Sequence, residues 1–257
     1  MEKIELDDAS IVFDELGAGD PVLLLHGYPT TRALWSKVAP HLARAGHRVL
    51  APDLVGYGES EPAPGVNVGM ANQARWMLQL LDRLGLSRVA VVAHDVGTAA
   101  AQLMLVRAPE RITALALMDG VYGSDWAMEA VASIQSWDPA QAGRLVPVLA
   151  RRLGPGLREI LATYDGEAGG RRLIRAAKDL DPSETAGILQ ELKLRQVPAL
   201  VLWGERDQFF PVETIARPLA DLLGADLHVF PGGHFLPLDA PEPVSSALCA
   251  LLVQKRD

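Results

Sequence analysis

The sequence predicts an α/β fold with a mostly parallel central sheet, helices on both of its faces and an inserted helical lid. Short β-branched or leucine-rich runs alternate with longer amphipathic stretches, which is typical of this architecture. The alternation breaks once, over residues 120–197, which read as helices and loops without a buried strand. We therefore expect one core domain, formed by residues 1–119 and 198–257, with residues 120–197 inserted as the lid.

Each expected element follows from its local pattern. Apolar runs of strand length, bounded by turn residues, predict strands at residues 10–14, 21–25, 48–51, 88–93, 113–118, 199–203 and 226–230. Amphipathic spacing predicts helices at residues 35–45, 68–84, 98–108, 212–223 and 241–253. Four aromatic residues fall in the lid, and we expect most of them to form its own core: Tyr122, Trp126, Trp137 and Tyr164.

The net charge of the chain argues against some classes of binding partner. The formal net charge is −8 and the isoelectric point is near 5.3. No basic stripe is concentrated anywhere, which disfavours nucleic acid and anionic membranes as partners. The pairs Arg151-Arg152 and Arg171-Arg172 are interpreted as solvated helix faces.

The chain has one cysteine, Cys249, which excludes an internal disulfide framework. The first residues lack a basic region followed by an apolar one, and no apolar run approaches the ~18 residues that span a bilayer. We expect a cytoplasmic enzyme, monomeric or homodimeric, that acts on a small molecule. Nothing in the spacing of the six histidines suggests a metal, and no cofactor is expected.

A strand, a tight turn and a helix meet at residues 89–105, with Asp95 at the tip of the turn. The run at residues 93–97 has the spacing of a nucleophile elbow, in which a strained turn usually exposes a serine above the sheet. A carboxylate in that position needs no general base, and its attack on an sp3 carbon gives an ester that water must cleave. The alternative is a turn aspartate or a helix N-cap. The elbow predicts an epoxide or an alkyl halide as substrate.

Two further strand ends offer partners for this nucleophile. Asp207 follows the strand at residues 199–203, and His234 follows the last strand in a Gly-Gly-His loop. We expect Asp207 to orient His234, and His234 to deprotonate the water that cleaves the ester. Asp119, at the end of the preceding strand, is the alternative acid because it could reach the same histidine from another direction.

The second step needs donors for the oxygen of the Asp95 ester. The backbone N–H groups of Val96 and Tyr28 are the candidates. His26 and His94 stand near these loops, and we expect them to hydrogen-bond the loop backbone and so stabilise the site. The candidates for the substrate pocket are His26, His94, Trp35, Trp126 and Phe235.

Five motifs together resemble the aspartate-nucleophile α/β-hydrolases, a group that includes epoxide hydrolases, haloalkane dehalogenases and fluoroacetate dehalogenases. The motifs occupy residues 26–29, 53–60, 93–97, 204–207 and 233–237. The resemblance covers nearly the whole core and leaves the lid poorly matched. It implies the α/β-hydrolase fold and a catalytic triad of Asp95, Asp207 and His234. Ala93 stands where the group usually has a glycine.

The resemblance also helps to distinguish the three enzyme families within this group. Haloalkane dehalogenases typically place a tryptophan after the nucleophile and an asparagine in the first loop, where this chain has Val96 and Tyr28. Fluoroacetate dehalogenases usually have an arginine after the nucleophile and a lid histidine, and residues 120–197 contain no histidine. In epoxide hydrolases, lid tyrosines protonate the leaving alkoxide. Tyr164, and with less support Tyr122, could fill that role here.

The leading hypothesis is therefore an epoxide hydrolase that forms a diol through an ester on Asp95. The runner-up is a haloalkane or haloacid dehalogenase, in which Trp35, Trp126 or Trp137 would contact the halide. A ligand receptor or a tailoring protein on the same scaffold is the third alternative. No other turn presents a serine at elbow spacing, which disfavours an ester hydrolase.

Overall fold

One mixed sheet organises the computed structural model, which describes residues 1–253. Its strands are β1 (Glu2–Glu5), β2 (Ala9–Leu16), β3 (Asp20–Leu25), β4 (His47–Pro52), β5 (Glu61–Pro62), β6 (Val89–His94), β7 (Ile112–Met118), β8 (Ala199–Gly204) and β9 (Asp226–Phe230). Their spatial order is β1-β2-β4-β3-β6-β7-β8-β9, with β5 beside β2. The strands from β4 to β9 in this order are parallel, while β2 is antiparallel to its neighbours.

Helices cover the sheet and fill the connections. They are α1 (Ala39–Arg44), α2 (Met70–Arg83), α3 (Gly97–Arg107), α4 (Met128–Gln135), α5 (Leu145–Leu153), α6 (Arg158–Leu161), α7 (Gly166–Lys178), α8 (Ser183–Ala186), α9 (Leu189–Lys193), α10 (Arg217–Leu223), α11 (Leu236–Asp239) and α12 (Pro241–Val253). α2 packs on α3, and α1 packs on α12. α3 contacts β6 and β7, while α12 contacts β7 and β8. The predicted α/β fold with a mostly parallel sheet is confirmed.

The central strands explain why continuous apolar runs in the sequence predicted strands correctly. Every residue of β6 and β7 is buried, as expected for parallel strands covered on both faces. Two strands escaped prediction because neither has an apolar run. β1 reads Glu-Lys-Ile-Glu and is an edge strand, and β5 has two residues.

The predicted helix at residues 35–45 is wrong in its first half. A 3₁₀ turn occupies Arg32–Trp35, and α1 begins only at Ala39, with a proline in its first turn. The proline suits a helix start because its missing N–H needs no partner there. The amphipathic pattern merged two elements that the backbone separates.

Residues 120–197 carry α4 to α9, and their β pairing is an isolated bridge between Tyr122 and Asp125. The segment is attached to the core at the start of α2. Glu184 accepts hydrogen bonds from the N–H groups of Met70 and Ala71 at 2.8 and 3.1 Å. The N-cap residue of α2 is a glycine without a side chain, so a carboxylate from the inserted segment caps the helix instead. Its role as a lid stays a prediction.

Residues 1–253 contain neither a membrane-spanning helix nor a cluster of metal-binding side chains. No helix in that range is long and apolar enough to cross a bilayer. The same residues contain no group of three or more histidine, cysteine, aspartate or glutamate side chains placed to hold a metal ion.

Candidate active site

The turn between β6 and α3 holds Asp95 in a left-handed backbone conformation, with φ of 54°. Thr98 supports the turn because both its N–H and its hydroxyl donate to the Asp95 carbonyl, at 3.0 and 2.7 Å. Gly97 must lack a side chain here, since a Cβ would overlap the carbonyl of His26. A non-glycine residue at positive φ is strained, and such strain concentrates at functional turns.

The Asp95 carboxylate is held between two groups. The Tyr28 N–H donates to its Oδ1 at 2.6 Å. The other oxygen, Oδ2, lies 3.4 Å from Nε2 of His234. Gly27 lets the first loop come this close, because a Cβ there would overlap the carboxylate. The amide proposed as an oxyanion donor therefore already faces the nucleophile candidate.

His234 lies between two carboxylates. Its Nδ1 is 3.0 Å from Oδ2 of Asp207, and its Nε2 faces Asp95. The side chain of Asp207 is fully buried, and its second oxygen accepts hydrogen bonds from the N–H groups of Phe209 and Phe210 at 2.8 and 3.1 Å. The loop after β8 thus fixes the acid, and the acid fixes the imidazole ring.

The charge of this histidine follows from its neighbours. Burial alone would lower the pKa of His234, but the hydrogen bonds to Asp207 and Asp95 outweigh burial and raise it to about 10. Each ring nitrogen faces a carboxylate oxygen, which can only accept a hydrogen bond. These two carboxylate neighbours therefore favour the imidazolium form of the ring, in which both nitrogens donate.

Asp119 does not fit the alternative role of acid. Its Oδ1 accepts from the Gly204 N–H at 2.7 Å, and its Oδ2 has no hydrogen-bond partner within residues 1–253. Burial raises the pKa of Asp119 well above its usual range, and the nearby charge of Asp207 raises it further. Asp119 makes no hydrogen bond to the imidazole, whereas Asp207 contacts its Nδ1 at 3.0 Å, so Asp207 is the partner of His234.

Two other histidines lie behind the site and do not line the cavity above it. Nε2 of His26 accepts from the Leu54 N–H at 2.9 Å, which ties the first loop to the loop after β4. Nε2 of His94 lies 2.7 Å from the carbonyl oxygen of His234 and therefore donates to it. Burial, and then the charge of His234, lower the pKa of His94 to about 4. Both histidines support the loop backbone as expected, but neither lines the cavity, so their expected place in the substrate pocket does not fit the structure.

A cavity of about 380 Å³ lies above Asp95 and His234. Its wall is formed by the loops of the sheet edge together with α4 and α5 of the inserted segment. Most of the wall is apolar, including Val96, Trp126, Ile134, Leu149, Phe209 and Phe235. Its polar side chains include Glu129, Ser133, Arg152 and Gln208. This size and lining suit a small, largely apolar organic molecule.

The tryptophans do not supply free donors to this cavity. Trp126 lines it, but its indole N–H donates to Oγ1 of Thr185 at 2.8 Å and to the Gly123 carbonyl at 3.2 Å. Trp35 is completely buried and lies outside the cavity wall, as does Trp137, whose N–H donates to the Gln141 carbonyl. The predictions of Trp35 as a pocket residue and of tryptophan contacts to a halide do not fit these positions.

The lid tyrosines are also placed differently from the sequence-based expectation. Tyr164 is fully buried and absent from the cavity wall. Its hydroxyl accepts from the Gly58 N–H at 3.0 Å and donates to the Thr30 carbonyl at 3.1 Å. Tyr122 is partly buried and does not line the cavity either. Neither tyrosine lines the cavity that holds Asp95, so the expectation of a lid tyrosine as proton donor does not fit these positions.

We expect Tyr164→Phe to leave catalysis unchanged and to lower stability. Its hydroxyl joins the inserted segment to two core loops, and removing it leaves a buried N–H and a buried carbonyl without partners. The free energy of unfolding should fall by about 1–3 kcal/mol, measured by urea denaturation. Tyr122→Phe is the control and should change neither property. A large loss of kcat in Tyr164→Phe, with normal folding, would restore the proton-donor role.

Several cavity residues were not predicted from the sequence. Phe209 and Phe210 directly follow the acid loop, and their position next to Asp207 was a usable signal. Arg152 was interpreted as part of a solvated helix face, yet it lies in the cavity wall. Which face of α5 turns toward Asp95 depends on how the inserted segment packs on the core.

The comparison with known families agrees with this geometry. A model of the alpha/beta hydrolase fold matches residues 20–146. This chain has the α/β-hydrolase fold. A solved alpha/beta hydrolase fold protein from Burkholderia ambifaria superimposes with a TM-score of 0.80 and 26% identity, covering 96% of each chain.

Three curated relatives of this hydrolase-fold chain carry different enzyme names. A haloalkane dehalogenase from Mesorhizobium japonicum is 39% identical over 118 residues, which are 46% of this chain and 38% of that protein. The bifunctional epoxide hydrolase 2 of Sus scrofa is 38% identical over 108 residues, 42% of this chain and 20% of that protein. A 2-hydroxy-6-oxo-2,4-heptadienoate hydrolase from Pseudomonas putida is 28% identical over 247 residues, 88% of this chain and 86% of that protein. The two more identical matches thus span well under half of those relatives.

Proposed function

We propose that this protein hydrolyses small, largely apolar epoxides to diols through a covalent ester on Asp95. The observation that carries the proposal is the position of His234, whose two ring nitrogens face the carboxylates of Asp95 and Asp207 at the floor of an apolar cavity. This arrangement supplies a nucleophile and an acid side by side. Epoxide opening needs both.

The first step joins the Asp95 carboxylate to an epoxide carbon. An oxygen of Asp95 attacks, the C–O bond of the ring breaks, and the bond electrons go to the ring oxygen. This oxygen departs on the side opposite Asp95, and a water molecule in the cavity relays the Nε2 proton of the His234 imidazolium to it, so the product is a hydroxyalkyl ester and a neutral histidine. No tyrosine is needed for this step, which fits the positions of Tyr122 and Tyr164 away from the cavity.

The second step hydrolyses the ester. Esterification removes the charge of Asp95, one of the two carboxylates that raise the pKa of His234, and so favours neutral imidazole. That imidazole takes a proton from water, and the hydroxide attacks the ester carbonyl. The oxyanion forms where the Tyr28 N–H already donates, with the Val96 N–H as the proposed second donor. Release of the diol restores the carboxylate and the imidazolium, so the protons balance.

The test is to trap the ester with His234→Gln. Without the base, the second step should stop while attack by Asp95 continues with weaker proton donation. Intact-protein mass spectrometry after incubation with styrene oxide should show an adduct of the full epoxide mass, and peptide mapping should place it on Asp95. Adding Asp95→Asn to the same protein should abolish the adduct. An adduct on another residue, or none while the wild type turns over the epoxide, would contradict the mechanism.

Haloalkane dehalogenation is the second candidate, favoured by the 39% identity to a haloalkane dehalogenase over 118 residues. It uses the same ester, but the halide leaves as an anion and takes no proton. The His234 proton would then have to be lost to solvent before hydrolysis. The indole N–H of Trp126 is also already bonded to Thr185 and Gly123. An alkyl adduct without halogen on Asp95, and steady bromide release by the wild type, would favour this candidate.

A receptor on the same scaffold would bind without turnover. It predicts that the wild type processes neither epoxides nor halides and that His234→Gln forms no adduct with either. Equal ligand affinity of the wild type and of Asp95→Asn, measured by calorimetry, would then favour a binding protein over an enzyme.

A further inference from the structure

One charged wall residue of the cavity has no role in the mechanism above. Arg152 lies on α5, three residues after Leu149 and one before Leu153, and all three line the cavity. Residues three and four apart lie on the same helix face. Arg152 therefore shares with Leu149 the face of α5 that lines the cavity above Asp95. Its neighbour Arg151 lies on another face, in a groove formed with Arg158 and Asp165.

This arginine is without an ion-pair partner among residues 1–253. Other arginines of the chain are paired, such as Arg111 with Asp82 at 2.8 Å and Arg172 with Glu61. Glu129 also lines the cavity, but it makes no ion pair with Arg152. In a chain of net charge −8, an unpaired guanidinium at this place creates a local positive field over the cavity.

We infer that Arg152 binds the carboxylate of the substrate, so that the preferred epoxide has an apolar body with an anionic group at the end away from the ring. The inference rests on the proposed function. A guanidinium suits this task because it offers paired N–H donors in the geometry of a carboxylate. Its aliphatic stem can lie along the apolar wall while the charged head reaches the ligand. The wall residues would then contact the apolar body.

A simpler role is the favourable interaction of a basic residue with the C-terminal end of α5. Arg151 and Arg152 share that position in the last turn, so they should contribute to it equally. Only Arg152 lines the cavity, and Arg151 is therefore the matched control. Both arginines are exposed, and replacing either should leave the fold intact.

The experiment compares two substrates of nearly equal shape, para-carboxystyrene oxide and para-carbamoylstyrene oxide, which differ in charge. The wild type should prefer the carboxylate in kcat/KM by about fivefold, the size of one partly exposed ion pair. Arg152→Gln should abolish the preference through KM, with kcat retained. Arg151→Gln should keep it, and Arg152→Lys should restore part of it. The preference should also weaken at high salt.

The outcomes separate this inference from the proposed function. Turnover of both epoxides with equal kcat/KM, or an equal loss of preference in Arg151→Gln and Arg152→Gln, overturns the carboxylate site and leaves epoxide hydrolysis standing. No turnover of either epoxide by the wild type, together with no adduct in His234→Gln, overturns both. A gain of the carboxylate preference in Glu129→Gln would support the inference, because that substitution removes a competing negative charge from the wall.

Discussion

Asp95→Asn should lower kcat/KM for an epoxide by about 10⁴-fold or more, because the amide cannot attack carbon as a carboxylate does. The substitution keeps the shape of the side chain. In the wild type the Tyr28 N–H donates to Oδ1 of Asp95 at 2.6 Å, and the amide oxygen of asparagine can accept this hydrogen bond in the same position. The fold should therefore survive. Initial rates of diol formation measure the loss, and thermal denaturation checks the fold.

Asp119→Asn is the matched control for this prediction. Both aspartates follow neighbouring parallel strands, both are buried, and both have a positive φ, 54° for Asp95 and 42° for Asp119. Asp119 does not line the cavity, and its Oδ1 can be replaced by an amide oxygen that accepts from Gly204. Its rate should stay within about threefold of the wild type, since no interaction with the reacting groups is lost. If both variants lost activity to a similar extent, the cause would be damage to the structure at the strand ends, and the loss in Asp95→Asn could not be assigned to a missing nucleophile.

Asp207→Asn should reduce kcat by about 10³-fold and change its dependence on pH. The hydrogen bond that the His234 ring donates to Asp207 is the largest influence that raises the pKa of His234, to about 10. Since the proposed mechanism uses the imidazolium as the acid of the first step, kcat/KM of the wild type should fall as pH rises through about 10. Removing the Asp207 charge lowers that pKa, so in the variant the fall should occur at lower pH.

The control for Asp207→Asn is Asp239→Asn. Asp239 also supports the histidine loop, because its carboxylate accepts from the Gly233 N–H at 2.8 Å, but no hydrogen bond joins it to the imidazole. We expect a small rate change and an unaltered pH profile. Titration of the His234 ring by NMR gives the same information directly. An unchanged pKa in Asp207→Asn would show that Asp207 does not charge-balance the histidine.

The sequence alone identified the residues whose place is set by local structure. Asp95 directly follows β6, while Asp207 and His234 lie in the loops just after β8 and β9, and the carboxyl ends of such parallel strands meet at one edge of the sheet. Their convergence therefore follows from the strand assignments. The Tyr28 amide was predictable for the same reason, because its loop follows β3, the strand paired with β6.

The direction of long side chains was decided by tertiary packing. Tyr164 and Trp126 were both visible as aromatic residues of the inserted segment, but their polar groups are bonded to backbone and to Thr185. A buried phenol or indole bonds to whichever partners lie nearest in the folded chain, and Thr30, Gly58 and Thr185 all come from segments distant in sequence. The sequence contains no local signal for these pairings.

The same distinction separates Arg151 from Arg152. Helical periodicity places them on different faces, which the sequence determines by itself. Only the packing of α5 over the strand ends decides that one face lines a cavity with Asp95 while the other lies in a groove with Arg158 and Asp165. Local spacing thus determined the sheet, the elbow and the three candidate catalytic residues, because each depends on neighbours in the chain. The cavity wall depends on contacts across the chain, and only the tertiary structure decided it.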